Sequence, residues 1–180
     1  MAGYWVPNVE RQGHLTVREV LQAAREAAVE IRSIEEQAQI RRDAIGVQGH
    51  GYGFHSKSGI LDPTRKIDEL ICWEQERVGD EYLRQPIDEA WDVIAGARHI
   101  SDDAMIQVVT RYYLQAESWH EIVGGWVRNG QVMPPIAESI PAFEGKSHEL
   151  QVKLLSKSID ANIEEWESVG IAKLREMGRE

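Results

Sequence analysis

The chain of 180 residues contains one cysteine and no long apolar run. A single cysteine, Cys72, excludes an intramolecular disulfide and any zinc site built from several cysteines. The longest uncharged apolar runs, such as Met105 to Thr110, are far shorter than the roughly 20 residues that span a bilayer. No apolar segment follows the first methionine. We therefore expect no membrane contact and a cytoplasmic location.

Positive charge is also scarce. The chain has 20 Lys and Arg against 30 Asp and Glu, which gives a formal net charge of −10 at pH 7. Nonspecific coating of nucleic acid needs a positive field at the phosphates, so this balance argues against it. If DNA is the partner, the basic residues must be concentrated on one small face. The apolar fraction of 42% is sufficient for a hydrophobic core, which excludes wholesale disorder.

A long helix is predicted at the amino-terminal end, where Thr16 and Glu19 form a capping box. Apolar residues then recur every seven positions, with a second set three positions later, as in a coiled coil. This seam consists of Val17, Val20, Ala24, Ala27, Ile31, Ile34, Ala38 and Ile45. It could pack on the second helix as an antiparallel hairpin, or form a homodimer through the N-terminal helices. Intervening charged residues, Arg25 and Arg32 among them, are expected to face solvent.

Breakers divide the rest of the chain. The glycine-rich stretch 46–59 predicts a flexible loop that ends the first helix. The pair Asp62 and Pro63 starts a second helix, which Pro86 closes or kinks. Shorter helices follow, and no strand-rich region is found. The predicted fold is therefore all-α, with a long N-terminal helical hairpin in residues 1–85 and a C-terminal domain in residues 86–180.

The C-terminal part has the pattern of a helix-turn-helix domain. A helix containing Val109–Leu114 is followed by a tight connection and by a second capping box, Ser118 and Glu121. Tyr112 and Leu114 are expected to pack on Trp119 and Ile122. An irregular insertion at about residues 127–145, with at most a short hairpin, separates these helices from a last long helix that begins at Ser147.

That last helix is the candidate recognition helix. Its apolar residues Leu150, Leu154, Ile159, Ile163 and Trp166 are spaced for burial. Between Gly145 and Ile159, three lysines accompany Glu149 as the only acidic residue. Polar residues at the amino end of a recognition helix reach base edges in the major groove. The predicted DNA-binding residues are Lys146, Ser147, His148, Gln151, Val152, Lys153 and Lys157.

No enzymatic chemistry is indicated. The stretch 51–58 nearly matches a phosphate-binding loop, but Ser56 replaces the second glycine and no strand precedes it. His50 and His55 share this loop without a carboxylate or thiol at ligand spacing. The remaining histidines, His14, His99, His120 and His148, are scattered. We expect no catalytic residue, no cofactor and no metal.

Taken whole, residues 17–166 resemble a family of small phage- and prophage-encoded proteins with a helix-turn-helix like that of sigma-factor region 4. The residues that carry this resemblance are Arg111, Tyr112, Trp119, Glu121 and Ile122, and later Ser147, Lys153, Leu154 and Lys157. In the family, the turn before the recognition helix has only a few residues. The segment Gly124–Gly145 departs from that pattern.

The resemblance implies a sequence-specific DNA-binding transcriptional regulator that acts on double-stranded DNA. A protein with so few basic residues would need dimerisation or recruitment by host RNA polymerase to bind at physiological salt. The alternative is a protein-interaction module that does not bind DNA. One example is an acidic inhibitor of a host nucleic-acid enzyme, with an anti-CRISPR-like role.

Overall fold

The computed structural model describes residues 15–49, 63–128 and 145–179. Within these ranges it contains seven helices and no strand, which confirms the all-α class. The helices are α1 (Val17–Gly49), α2 (Pro63–Val78), α3 (Glu81–Ala97), α4 (Asp103–Tyr113), α5 (Trp119–Arg128), α6 (His148–Val169) and α7 (Ile171–Met177). Most of the predicted insertion, residues 129–144, lies outside the described residues. None of the helices in these ranges combines the length and apolar character of a membrane span.

The start of α1 is as predicted. The Glu19 carboxylate accepts a hydrogen bond from the backbone N–H of Thr16 (2.8 Å), and the Glu19 N–H donates to Thr16 Oγ1 (3.2 Å). Most of the seam is buried, and α1 packs against α2 and α3 of the same chain. Ile31 and Ile45 are the half-buried exceptions. The seam is therefore covered, over most of its length, by neighbouring helices of its own chain.

Two predicted helix ends are wrong. Helix α1 continues to Gly49 instead of ending at Gly46, while residues 50–62 of the predicted loop lie outside the described residues. The second break occurs at Gly79 and not at Pro86. There the Asp80 carboxylate accepts a hydrogen bond from the Tyr82 N–H (3.0 Å) and starts α3 before the proline, so Pro86 lies inside that helix.

Helix α1 and the helices of the carboxyl-terminal half share one hydrophobic core. Val17, Val20, Leu21 and Ala24 of α1 lie in the same buried cluster as residues of α3, α4, α5, α6 and α7. The boundary predicted between residues 85 and 86 falls inside α3. Helices α4 and α6 therefore pack on the first half of α1.

Trp166 of α6 anchors this core. Its side chain is completely buried, and its indole Nε1 donates a hydrogen bond to Ser101 Oγ (2.8 Å). The Ser101 hydroxyl in turn donates to Asn162 Oδ1 (3.2 Å). Since a buried indole N–H without a partner is costly, this short chain of hydrogen bonds makes the complete burial of Trp166 possible.

The inward face of α6 differs in part from the prediction. Ile159, Ile163 and Trp166 are buried as expected. Leu155, however, is fully buried, whereas Leu150 is 39% exposed. Leu155 and the three predicted residues follow one another at steps of four, four and three, which places them on one helix face. Leu150 does not belong to that series, so its predicted burial is wrong.

We expect Gly96→Ala to destabilise the fold. A Cβ at Gly96 would lie 1.8 Å from the backbone oxygen of Leu174, because α3 and α7 approach closely there. A backbone atom cannot move aside as a side chain can, so the loss should be about 3 kcal/mol in the free energy of unfolding, measured by urea denaturation.

Gly124→Ala is the matched control. The atom nearest to its added Cβ would be His148 Cε1, at 4.0 Å. Alanine is favoured over glycine inside a helix, so this change should stabilise the protein by about 0.5 to 1 kcal/mol. Equal unfolding free energies for the two variants would contradict the close approach of α3 and α7.

Candidate nucleic-acid interface

The turn between α4 and α5 is tight and bears one strained residue. Ala116 has a φ of 54°, in the left-handed region that non-glycine residues seldom adopt. The Glu117 N–H donates to the carbonyl of Arg111 (3.1 Å), and the Ser118 capping box opens α5 as predicted. Only residues 114–118 separate the end of α4 from the start of α5.

Aromatic stacking sets how α4 and α5 meet. The rings of Tyr112 and Trp119 stack with centroids 3.8 Å apart and planes 10° from parallel, so the predicted contact of these two residues is confirmed. The Arg25 guanidinium of α1 lies over the Tyr112 ring, 3.7 Å from the ring centroid. Arg25 also donates to the carbonyls of Tyr112 and Glu117, the latter at 3.2 Å.

A second arginine of α1 holds the same turn. Arg32 donates to the Ala116 carbonyl (3.1 Å) and pairs with the Glu121 carboxylate (2.8 Å). The expectation that Arg25 and Arg32 merely face solvent is therefore wrong. They lie seven residues apart on one face of α1, and that spacing was the available signal.

Glu121 is held in its charged form. Hydrogen bonds from the Arg32 side chain, and then from the Ser118 backbone and hydroxyl, lower the pKa of Glu121 from 4.5 to about 2. Beside it, Arg111 makes a bidentate ion pair with Glu117, whose shortest distance is 2.6 Å. Arg111, Glu117 and Glu121, all in or next to the turn, are thus engaged within the protein.

An open cavity of about 550 Å³ lies between α1 and this turn. Its lining includes Arg32 together with the three carboxylates Glu35, Glu117 and Glu121. Three carboxylates beside one arginine disfavour an anionic ligand, because phosphate needs an excess of positive charge. The lining of this cavity therefore does not suit nucleic acid.

The predicted DNA-binding residues fall into two groups. Lys146, Ser147, Lys153 and Lys157 are exposed. Gln151 and Val152 are half-buried, and Val152 packs against the core. The outward orientation expected of Val152 is therefore wrong, because it precedes Leu155 by three positions and shares the inward face.

Leu150, Lys153 and Lys157 follow one another at steps of three and four, which places them on one exposed face of α6. We name these three residues, with Lys146 just before the helix, the α6 lysine face. This face contains the three lysines of the predicted basic patch and, in addition, the exposed Leu150.

His148, the remaining predicted DNA-binding residue, lies next to a second histidine. It is exposed, and its Nε2 lies 3.1 Å from Nδ1 of His120, the second residue of α5. The ring centroids are 5.2 Å apart. Two of the histidines that appear scattered along the chain, 28 residues apart, are thus neighbours in the fold. No spacing rule connects residues of two helices that are so far apart in sequence.

Comparison with known proteins adds no relationship: no family model, curated protein or solved structure matches the chain. Within residues 15–49, 63–128 and 145–179, no three His, Cys, Asp or Glu side chains form a group that could hold a metal ion. His50 and His55 lie outside those ranges.

We expect Glu121→Gln to lower stability in a pH-dependent way. Because the pKa of Glu121 is depressed to about 2, its charge stabilises the folded chain above pH 4.5, and this contribution is lost as the pH falls through about 2. The variant should be less stable than the parent by at most about 1 kcal/mol at neutral pH, since the pair is exposed. Urea unfolding near pH 6 and near pH 3 should show the difference shrink.

Glu26→Gln is the control, because the Glu26 carboxylate accepts a hydrogen bond from the neutral side chain of Gln22 (3.2 Å). Its effect should be smaller at both pH values. A stability difference for Glu121→Gln that stays constant with pH would count against the charged pair with Arg32.

Proposed function

We propose that this protein is a phage-type, sequence-specific DNA-binding transcriptional regulator, with α6 as its recognition helix. One observation carries the proposal: α6 packs on α5, immediately beyond the tight turn, and leaves Lys153 and Lys157 exposed on its outer face. A helix held in this way can enter the major groove while α5 lies across the backbone.

The roles of the residues follow from their exposure. Lys146, Lys153 and Lys157 contact phosphates or guanine, and Ser147 at the amino end of α6 reaches the backbone or a base edge. Gln151 and Val152 are half-buried, so they contribute less to readout than residues on the outer face. The footprint is narrow, with lysines as its main contacts.

Such a footprint binds weakly as a single copy at physiological salt. A homodimer through the N-terminal helices would double the contacts. Host RNA polymerase could instead recruit the protein to its site. Ile67 and Ile71 of α2 are 37% and 38% exposed and lie on one face, which offers a surface for either partner.

We expect the full chain to shift DNA fragments from its own genomic neighbourhood in the presence of unrelated competitor DNA. Affinity should fall as salt is raised. Replacing Lys153 and Lys157 together by Gln removes two positive charges, so the slope of log affinity against log salt should decrease by about 2. Mobility shift at several salt concentrations measures this slope.

The matched control replaces Arg84 and Arg98, two exposed arginines of α3 and its carboxyl-terminal cap, by Gln. The net charge changes equally, yet binding should stay the same. Absence of any shift by the parent protein at low salt would refute direct DNA binding. An equal loss in the control pair would show that net charge, and not the α6 lysine face, determines binding.

The second candidate function is a protein-interaction module that does not bind DNA, such as an acidic inhibitor of a host nucleic-acid enzyme. The observation that favours it is Leu150, which is 39% exposed between lysines on the α6 lysine face. A leucine at this position gains little against phosphates, whereas it suits an apolar pocket of a protein partner.

If this candidate is correct, the parent chain gives no DNA shift but captures a host protein in a pull-down, and Leu150→Asp abolishes capture. Ile40→Asp is the control, because Ile40 is 68% exposed on α1, far along the chain from α6. Capture that survives Leu150→Asp would exclude the α6 lysine face as the docking surface.

A further inference from the structure

We propose that His120 and His148 form a binding site for a divalent transition metal ion that joins α5 to α6. The two residues come from different helices, and their facing ring nitrogens, Nδ1 of His120 and Nε2 of His148, are 3.1 Å apart. His148 is also one of the predicted DNA-binding residues, whereas His120 is not.

The separation of the two nitrogens suits a shared ion. Zinc binds imidazole nitrogen at about 2.0 to 2.1 Å, so nitrogens 3.1 Å apart can both reach one ion at an angle of about 100°. The same two nitrogens lie within hydrogen-bond distance of each other, with donor and acceptor set by the tautomer. A metal ion would bind in place of this hydrogen bond.

The surroundings leave the ion a way in. Both histidines are exposed, and the His148 ring lies over Gly124, where an added Cβ would be 4.0 Å from Cε1. Access from solvent therefore favours binding.

The donor set determines which ions bind. Two imidazoles favour Zn²⁺, Ni²⁺ and Cu²⁺ over Mg²⁺ or Ca²⁺, which prefer oxygen ligands. Among the described residues no third His, Cys, Asp or Glu side chain completes a cluster. Water therefore fills the remaining positions, and the affinity is modest compared with that of a four-ligand structural site.

A bound ion would fix the amino end of α6. His148 is the first residue of α6 and His120 the second residue of α5, so the ion would close the contact between the two helices at one end. The far end of α6 is already anchored by the buried Trp166. Metal binding would thus stabilise the folded chain and hold the amino end of α6 in place.

The test is isothermal titration calorimetry of the full chain with ZnCl₂, in a buffer that does not bind metals, near pH 7.5. We expect one ion per chain. His120→Ala and His148→Ala should each weaken binding by at least about tenfold, since each removes one of two ligands. Zinc should raise the Tm of the parent chain but not of these two variants, and binding should weaken as the pH is lowered, because protons compete for the imidazoles.

Two controls separate this site from the other histidines. His99→Ala changes an exposed histidine beyond α3, and the double variant His50→Ala with His55→Ala tests the glycine-rich stretch. Both should bind zinc like the parent. Unchanged binding in His120→Ala and His148→Ala, or loss only in the His50 and His55 double variant, would overturn the proposal.

A measurement on the parent chain covers the case in which a variant fails to fold. In ¹⁵N-labelled protein, zinc should shift the imidazole signals of His120 and His148 and leave that of His99 in place. Zinc-induced shifts confined to other histidines would also overturn the proposal.

Discussion

Two arginines of α1 donate hydrogen bonds to the turn between α4 and α5, and these bonds determine the geometry of the candidate interface. A tight turn leaves backbone carbonyls without helical partners, and here Arg25 and Arg32 donate to those of Tyr112, Ala116 and Glu117. Hydrogen bonds from charged donors contribute about 1.5 to 3 kcal/mol each, enough to offset the strain of a residue such as Ala116 with positive φ. These hydrogen bonds therefore set the direction of α5. Because α6 packs on α5, they also set the position of α6.

The shared core extends this constraint to the whole interface. The first half of α1, which carries Arg25, also buries Val17, Leu21 and Ala24 against the helices of the carboxyl-terminal half. Helices α4 and α6 pack directly on α1, and α5 is held to it through α4, α6 and the hydrogen bonds of the turn. The placement of α6 therefore depends on the same core that buries the first half of α1.

Sequence reasoning recovers what local rules determine. Both capping boxes form, the seam of α1 is largely buried, and Tyr112 stacks on Trp119, because each of these contacts joins residues of known spacing. The predicted burial of Leu150 is wrong. The warning in the sequence is the step of five residues from Leu154 to Ile159, which is not a helical repeat and so places Leu150 and Leu154 on a different face from Ile159. The pair His120 and His148 could not be predicted, since its geometry depends on how α5 and α6 cross.

Charge and orientation act together on the α6 lysine face. If the protein binds DNA as proposed, three lysines on a protein of net charge −10 would attract it only at short range, because at physiological salt the Debye length is about 8 Å and more distant charges are screened. A wrongly oriented encounter would then bring acidic surface against phosphate and be repelled, while the correct orientation would bring Lys153 and Lys157 to the backbone. In the proposed regulator, the same charges that lower the general affinity would thus give orientational selectivity, so firm placement of α6 would matter more than the number of lysines.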